Sequence, residues 1–233
     1  MVQLCADLAS LIIMKKYFLI AAIACTAQLA NAAPMAQSDI DQLIQKLETV
    51  HNSQPSLQAN FREERRLAML KDPIINEGKV WFTFPDKIRR EIAGKTPSTT
   101  VIDGKRMWIY YPNYQQVEIY DLEKRPMLKD SLRALTAGLN FREVANFYTI
   151  EGSREDGVYH VRLTPKTSSV KKLVRSVDLT IDDRLTPQRV NIEDAKGQKI
   201  SVTYTNVRRN LVPDSTFEFS APPGTKVSTP LGG

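Results

Sequence analysis

Residues able to do chemistry are scarce in this chain. Its 233 residues include two His and two Cys. His51 and His160 stand far apart. Neither has a Ser, a Cys or a second His at the spacing a nucleophile and its base require. His51 falls at the end of a helical pattern, where a cation is mildly favoured. His160 sits between Tyr159 and Val161 in a strand-like alternation. Asp182-Asp183, beside Arg184 and shortly before Pro187, reads as a turn and lacks the ligand count for calcium. No hydrolase pair and no metal set emerges, so neither a hydrolase nor a metal site is expected.

Both Cys fall in a leader. Met14-Lys15-Lys16-Tyr17 is a short basic start, the run from Phe18 to Cys25 is apolar, and Ala30-Asn31-Ala32 offers small residues around a cleavage point. These are the three parts of a secretory signal peptide. Cleavage is expected after Ala32, with residues 1–32 as the signal and Met14 as the better start. A transmembrane anchor fits worse, because Lys15 and Lys16 interrupt an apolar stretch that needs about 20 residues. Lipid attachment at Cys25 fits poorly with Ala22-Ile23-Ala24 ahead of it and with the apolar run continuing past it. Residues 33–233 are then a single domain without Cys, suited to an oxidising compartment. Removing Lys15, Lys16 and Asp7 changes the net charge from +6 to +5.

Hydrophobic residues are 42% and charged residues 25% of the chain, an ordinary globular composition. It excludes collagen-like, low-complexity and wholly disordered readings. Basic clusters occur at Arg65-Arg66, Arg89-Arg90, Lys171-Lys172 with Arg175, and Arg208-Arg209. They read as solvated surface, with attraction to anionic headgroups as the functional alternative. Nucleic acid is not expected as a partner of an exported protein.

The elements follow from periodicity. Ile40, Leu43, Leu47 and Val50 predict an amphipathic helix over 38–51, with Ser38 and Asp41 as a capping box and Pro55 as its stop. Strands then dominate. Leu57, Ala59 and Phe61 alternate with polar residues, as do Val80, Phe82 and Phe84, and then Ile88, Arg90 and Ile92. Asp103-Gly104 marks a hairpin turn between 99–102 and 105–111. Residues 115–122 form the next strand. Residues 127–139 return to helical spacing through Leu128, Leu132 and Leu135, and 141–146 form a short second helical turn. Strands resume at 148–151, 158–164, 173–181, 188–193 and 199–205, with a short last one at Phe217-Glu218-Phe219 and a loose tail after Gly224. Consecutive strands with tight turns imply an antiparallel, curved sheet. Only the N-terminal helix and the 127–146 insert can cover its apolar face. The expected class is α+β: an incomplete β-barrel with helices as a lid over an apolar cavity.

Several segments resemble the LolA family of periplasmic carriers of outer-membrane lipoproteins. Glu77-Gly78-Lys79-Val80-Trp81-Phe82-Thr83-Phe84-Pro85 is similar to the family's "G-x-L-W-x-x-x-P" strand, and Lys87-Ile88-Arg89-Arg90-Glu91 to its "F-R-W" segment. The run from Val101 to Pro112, with Asp103-Gly104, Trp108 and Tyr110, resembles "V-x-D-G-x-x-L-W-x-Y-x-P", and Gln116-Val117 follows. Leu163-Thr164-Pro165-Lys166 and Phe217 to Gly224 match later segments. The resemblance implies the half-barrel with a helical lid, no catalysis and no cofactor. It implies acyl chains of a lipoprotein, or of another acylated lipid, as cargo. It also implies an inner-membrane ABC transporter as donor, an outer-membrane receptor lipoprotein as acceptor, and a monomer.

The expected lipid-cavity residues are Phe61, Val80, Phe82, Phe84, Ile88, Arg90 and Ile92, then Met107, Ile109 and Val117, and from the lid Leu128, Leu132 and Leu135. Taken singly each apolar one reads as core, and Trp81 and Trp108 are out of step with them. Two departures from the family pattern stand out. Phe84 occupies the place of an Arg that ties lid to sheet, and Arg90 replaces a Trp. Alternation puts Arg90 with Ile88 and Ile92, where a lone cation is costly. It either binds lid carbonyls or a cargo headgroup, or snorkels to water at the rim. With Phe61-Arg62-Glu63-Glu64-Arg65-Arg66 and the 67–73 segment, the departures suggest a divergent branch. The same fold also serves as an envelope-stress sensor that binds a protein tail, the second reading of this chain.

Overall fold

The computed structural model describes residues 33–125, 129 and 141–230, the side chains of 141–143 excepted. Ala33–Gly233 is one unit of the chain. It opens with helix α1 (Gln37–Ser53), which buries Ile40, Leu43 and Leu47. The capping box does not form. The helix starts one residue before Ser38, with Ala36 at the N-cap and no side-chain cap, while the Gln37 side chain donates to Asp41 instead. The helix ends at Gln54, whose N–H bonds the Val50 carbonyl, just ahead of Pro55.

Strands β1 (Ser56–Arg66), β2 (Ile74–Thr83), β3 (Lys87–Ala93), β4 (Ser98–Asp103), β5 (Arg106–Tyr111) and β6 (Gln116–Asp121) form an antiparallel meander. Its turns use the expected chemistry. At the β4–β5 corner the Asp103 carboxylate accepts from the backbone N–H groups of Lys105 and Arg106, and Gly104 takes φ +94°. After the short helix α2 (Phe141–Phe147) the chain reaches the far side of the sheet. There β7 (Tyr148–Glu155), β8 (Val158–Pro165), β9 (Val174–Ile181), β10 (Pro187–Asp194) and β11 (Lys199–Arg208) lead back, and β11 pairs with β1. A four-residue helix, α3 (Ser168–Lys171), interrupts this run between β8 and β9. The twelve-stranded order is β12-β6-β5-β4-β3-β2-β1-β11-β10-β9-β8-β7, where β12 is Lys226–Ser228. The ends of that order differ, so the sheet is open rather than closed, an α+β half-barrel as the alternation predicted.

Two expectations near the C-terminus are corrected. Phe217 belongs to a 3₁₀ turn (Asp214–Phe217), not to a strand. The tail after Gly224 is not loose: it supplies β12, which runs parallel to β6 with Val227 opposite Val117. The three-residue alternation Phe-Glu-Phe is too short to decide its own conformation, and Pro213 favours the turn.

Register fixes the two faces of the sheet. Residues directly opposite each other share a face. Phe61 lies opposite Gly78, Gly78 opposite Ile92, and Ile88 opposite both Phe82 and Ile102. On this inner face α1 and α2 pack with β7–β10, through Leu43, Leu47, Val144, Tyr148, Leu163 and Leu179. A second cluster joins Leu57, Ala59, Phe61, Val80 and Phe82, and a third joins Ile102, Met107 and Leu122. Each buried apolar side chain contributes about 1.5–3 kcal/mol, and α1 is held to the sheet by three of them. On the outer face Gln58, Trp81, Arg89, Val101 and Trp108 follow one another across strands. The C-terminal segment covers part of that face. Phe219 packs on Trp108 and Tyr110 at ring distances of 6.4 and 5.7 Å, and Arg89 donates to the Thr216 carbonyl.

Candidate functional site

Most of the expected cavity residues share the inner face, but they divide. Phe61, Val80 and Phe82 are packed core, with Phe61 only 4% exposed. Ile88 and Ile92 on β3 and Ile109 on β5 are half-buried, and Met107 is buried beside Ile102. Leu128, Leu132 and Leu135 lie outside the described residues. Val117 is corrected: it pairs with Tyr110, so it is on the outer face, where it is fully buried. The 3₁₀ turn Pro112–Tyr114 and left-handed Gln115 (φ 46°) re-phase the strand that follows, which counting along the sequence cannot see. Both Trp residues are on the outer face too, as their alternation required.

Arg90 is tied into the sheet itself. Its Nη2 donates to Glu63 Oε2 on β1 at 2.7 Å. Its guanidinium lies 4.3 Å from the centroid of the Phe61 ring. The arrangement is layered. Gly78 has no side chain, a Cβ there would overlap the Glu91 carbonyl oxygen, and the Phe61 ring leans into that gap. Arg90 then lies on the ring, a cation–π contact. Glu63 also accepts from Asn76 Nδ2 at 3.0 Å and is 6% exposed. Burial lowers the Arg90 pKa and Glu63 opposes that shift. Burial pushes the nearby Tyr204 hydroxyl up to about 12. Glu63 was legible as an inner-face residue two positions after Phe61, but its partner is 27 residues away and needed the register.

Phe84 follows β2 and stacks on His51 of α1, with ring centroids 4.0 Å apart and planes at 16°. An aromatic contact thus stands between helix and sheet at this position. Burial, aided by Arg209, lowers the His51 pKa to about 4, so its imidazole is neutral at pH 7.

Next to this stack is a narrow apolar crevice, partly open to solvent. Leu47 and His51 form its roof; Leu57, Phe82, Leu179 and Ile181 form its floor; Phe84, Leu185, Pro187 and Arg209 close its end. A second narrow space lies beyond Leu47 under the same helix, between Leu43, Ile44 and Met35 above and Ile150, Val161 and Leu163 below. Of the expected residues that are described, only Phe82 and Phe84 line either space. The alternation Val177, Leu179, Ile181 in β9 was a usable signal for the floor. Arg209 was read as solvated surface; it turns inward, and nothing in the local pattern marks it. Asp182 keeps its turn role, accepting from the N–H groups of Arg184 and Thr186 and from Gln188. His160 is exposed on β8.

The chain is thus an open half-barrel carrying a helix over two apolar spaces. The family described as "Outer membrane lipoprotein carrier protein LolA" matches residues 52–220 of the sequence. The chain belongs to the LolA family. Proteins named "Outer-membrane lipoprotein carrier protein" are similar to it. That of Chromohalobacter salexigens is 28% identical over 159 residues, 65% of this chain and 70% of its own length. That of Hahella chejuensis is 24% identical over 216 residues, 91% of this chain and 96% of its own. In fold the chain is similar to an uncharacterized conserved protein from Thermus thermophilus, with a TM-score of 0.51 at 14% identity, covering 82% of this chain and 99% of that one.

Proposed function

We propose that the chain is exported by residues 1–32 and works in the periplasm as a carrier that shields the acyl chains of lipoproteins between inner and outer membrane. The observation that supports this reading best is the pair of apolar spaces under α1, on the inner face of a sheet whose family consists of such carriers. An acyl chain gains about 0.8 kcal/mol per buried CH₂, so an acylated protein does not cross water unaided. A carrier needs a comparable apolar site that still releases. Here α1 is joined to the sheet by side-chain packing, of Leu43 and Leu47 over β7–β10 and of His51 on Phe84, and lifting it would connect the two spaces. Ile88, Ile92, Met107 and Ile109 extend the same apolar face and are assigned to acyl contact, with the 127–146 segment as the expected cover. An ABC transporter as donor and a receptor lipoprotein as acceptor complete the route.

The reading is tested by mixing the purified protein with a diacylglyceryl-modified peptide without detergent. The expected result is a soluble one-to-one complex on size exclusion. A peptide that partitions wholly into added vesicles, leaving the protein unloaded, contradicts it.

A further inference from the structure

The hairpin between β1 and β2 ends in an apolar tip. Leu67-Ala68-Met69-Leu70 leads into Lys71-Asp72-Pro73, and β2 then starts with Ile74 and Ile75. Met69 is 95% exposed, Leu70 49%, Ile74 40% and Ile75 38%. Ile74 lies opposite Arg65 on the inner face and Ile75 opposite Glu64 on the outer face, so apolar surface runs round both sides. The tip also projects. Pairing of β2 with β3 starts at Glu77 and Ala93, which leaves Ile74, Ile75 and Asn76 beyond the end of β3. At about 3.3 Å per residue that is about 10 Å of hairpin. Single exposed apolar residues are ordinary, but a cluster of them marks an interaction surface.

Charge is sorted along the same edge of the sheet. Alternate turns of an antiparallel meander share an edge. The β3–β4 connection therefore stands on one side of the tip, and the β10–β11 and β8–β9 connections on the other. They carry Lys95, then Lys196, then Lys166, Lys171 and Lys172, all exposed, and the tip adds Lys71. None of these lysines is in an ion pair among the described residues. Asp72 is the one carboxylate in the same four connections. The hairpin turns at the opposite edge carry Asp86, Asp156, Asp182 and Asp183 against Lys105 and Arg184. A projecting apolar tip between rows of unpaired lysines fits a negatively charged lipid surface, which takes apolar groups at the acyl boundary and cations at its headgroups. A flat protein surface would cover one face of the hairpin, whereas immersion covers Ile74 and Ile75 together.

We propose that this edge is a membrane-docking surface: the Met69-Leu70 tip enters the interfacial layer of an anionic bilayer, and the lysines beside it bind the headgroups. The inference goes beyond the carrier reading and uses none of the residues assigned to acyl contact.

The test is vesicle flotation with the protein isolated after export. The vesicles are equal parts phosphatidylglycerol and phosphatidylcholine, or phosphatidylcholine alone. Wild-type protein is expected to bind the anionic vesicles at least about tenfold more tightly, since one lysine near such a surface contributes about fivefold. Raising the salt should erase that difference. Met69→Asp with Leu70→Asp should weaken anionic binding about tenfold or more. Both sites are exposed, so the urea midpoint should be unchanged. Residues 33–233 contain no Cys, so Met69→Cys can carry a single polarity-sensitive fluorophore. Its emission should shift to the blue on anionic vesicles and not on neutral ones. Wild-type protein that floats with neither vesicle overturns the proposal and leaves the edge to an acidic protein partner. Equal flotation with both overturns it as well. So does anionic binding that the Asp pair leaves unchanged, or a fluorophore that stays in water. Acyl uptake is read separately with the diacylglyceryl-modified peptide, so any of these failures leaves the carrier reading intact.

Discussion

Removing the Arg90 guanidinium should destabilise the protein strongly, and removing its partner as well should largely reverse the loss. The Glu63 side chain is 8% exposed and that of Arg90 28%. In Arg90→Leu the buried carboxylate keeps Asn76 at 3.0 Å and a weak 3.5 Å contact to Arg65, but loses its 2.7 Å charge-assisted bond. Breaking a buried pair from one side costs about 3–5 kcal/mol. The surviving Asn76 bond and the partial exposure of Arg90 place the expected loss at the lower end, about 3 kcal/mol. With a urea slope of about 2 kcal/mol per M, the unfolding midpoint should fall by about 1.5 M. Glu63→Leu with Arg90→Leu puts two apolar side chains on an apolar face, and such replacements are neutral or stabilising. The double variant should unfold within about 1 kcal/mol of wild type. The exposed Arg62–Glu77 pair gives the internal contrast: at 2.7 Å but more than half exposed on both sides, its removal should cost under about 1 kcal/mol. Urea unfolding followed by circular dichroism reads all four proteins. A single variant that matches wild type, or a double variant no better than the single, would refute the claim that Glu63 is held by Arg90.

Three further outcomes are expected. The His51 pKa in the fold, about 4, is below its unfolded value of about 6.5, so the unfolded chain binds the proton first and stability should fall as pH drops from 6.5 to 4. The loss should be about 3 kcal/mol, and in His51→Phe this part of the acid dependence should vanish, as urea midpoints at pH 7, 5 and 4 would show. Gly78→Ala should cost at least about 3 kcal/mol, because the new methyl meets the Glu91 backbone and the Phe61 ring; thermal melting measures it. Phe219→Ala should cost about 1–2 kcal/mol and shift the Trp108 fluorescence, yet leave acyl-probe affinity unchanged, since Phe219 is on the outer face.

How much was legible in the sequence differs by element. Period-two patterns in β2 and β3 placed Val80, Phe82, Ile88, Arg90 and Ile92 on one face and Trp81 on the other, because a strand's alternation is local. The Asp103-Gly104 corner was equally local. What failed depended on register or on long-range pairing. Val117 was misplaced because Gln115 turns the chain by a left-handed step. The salt bridge from Arg90 to Glu63 crosses β2, and β12 exists only because β6 offers it an edge. The apolar spaces sit under α1 mainly against β7–β10; from β2–β6, where the family-like motifs concentrate, only Phe82 reaches them among the described residues, with Phe84 just after β2. Motif density marked the family; packing of Leu43 and Leu47 decided where the space lies.

The central claim, that this protein holds acyl chains, is tested most directly by native mass spectrometry with lipid extraction on protein taken from its own cells. The account predicts co-purifying acyl chains or acylated protein, released when the protein is denatured. A protein that is empty as isolated and takes up no fluorescent fatty-acyl probe would contradict it and favour a module that binds a protein tail.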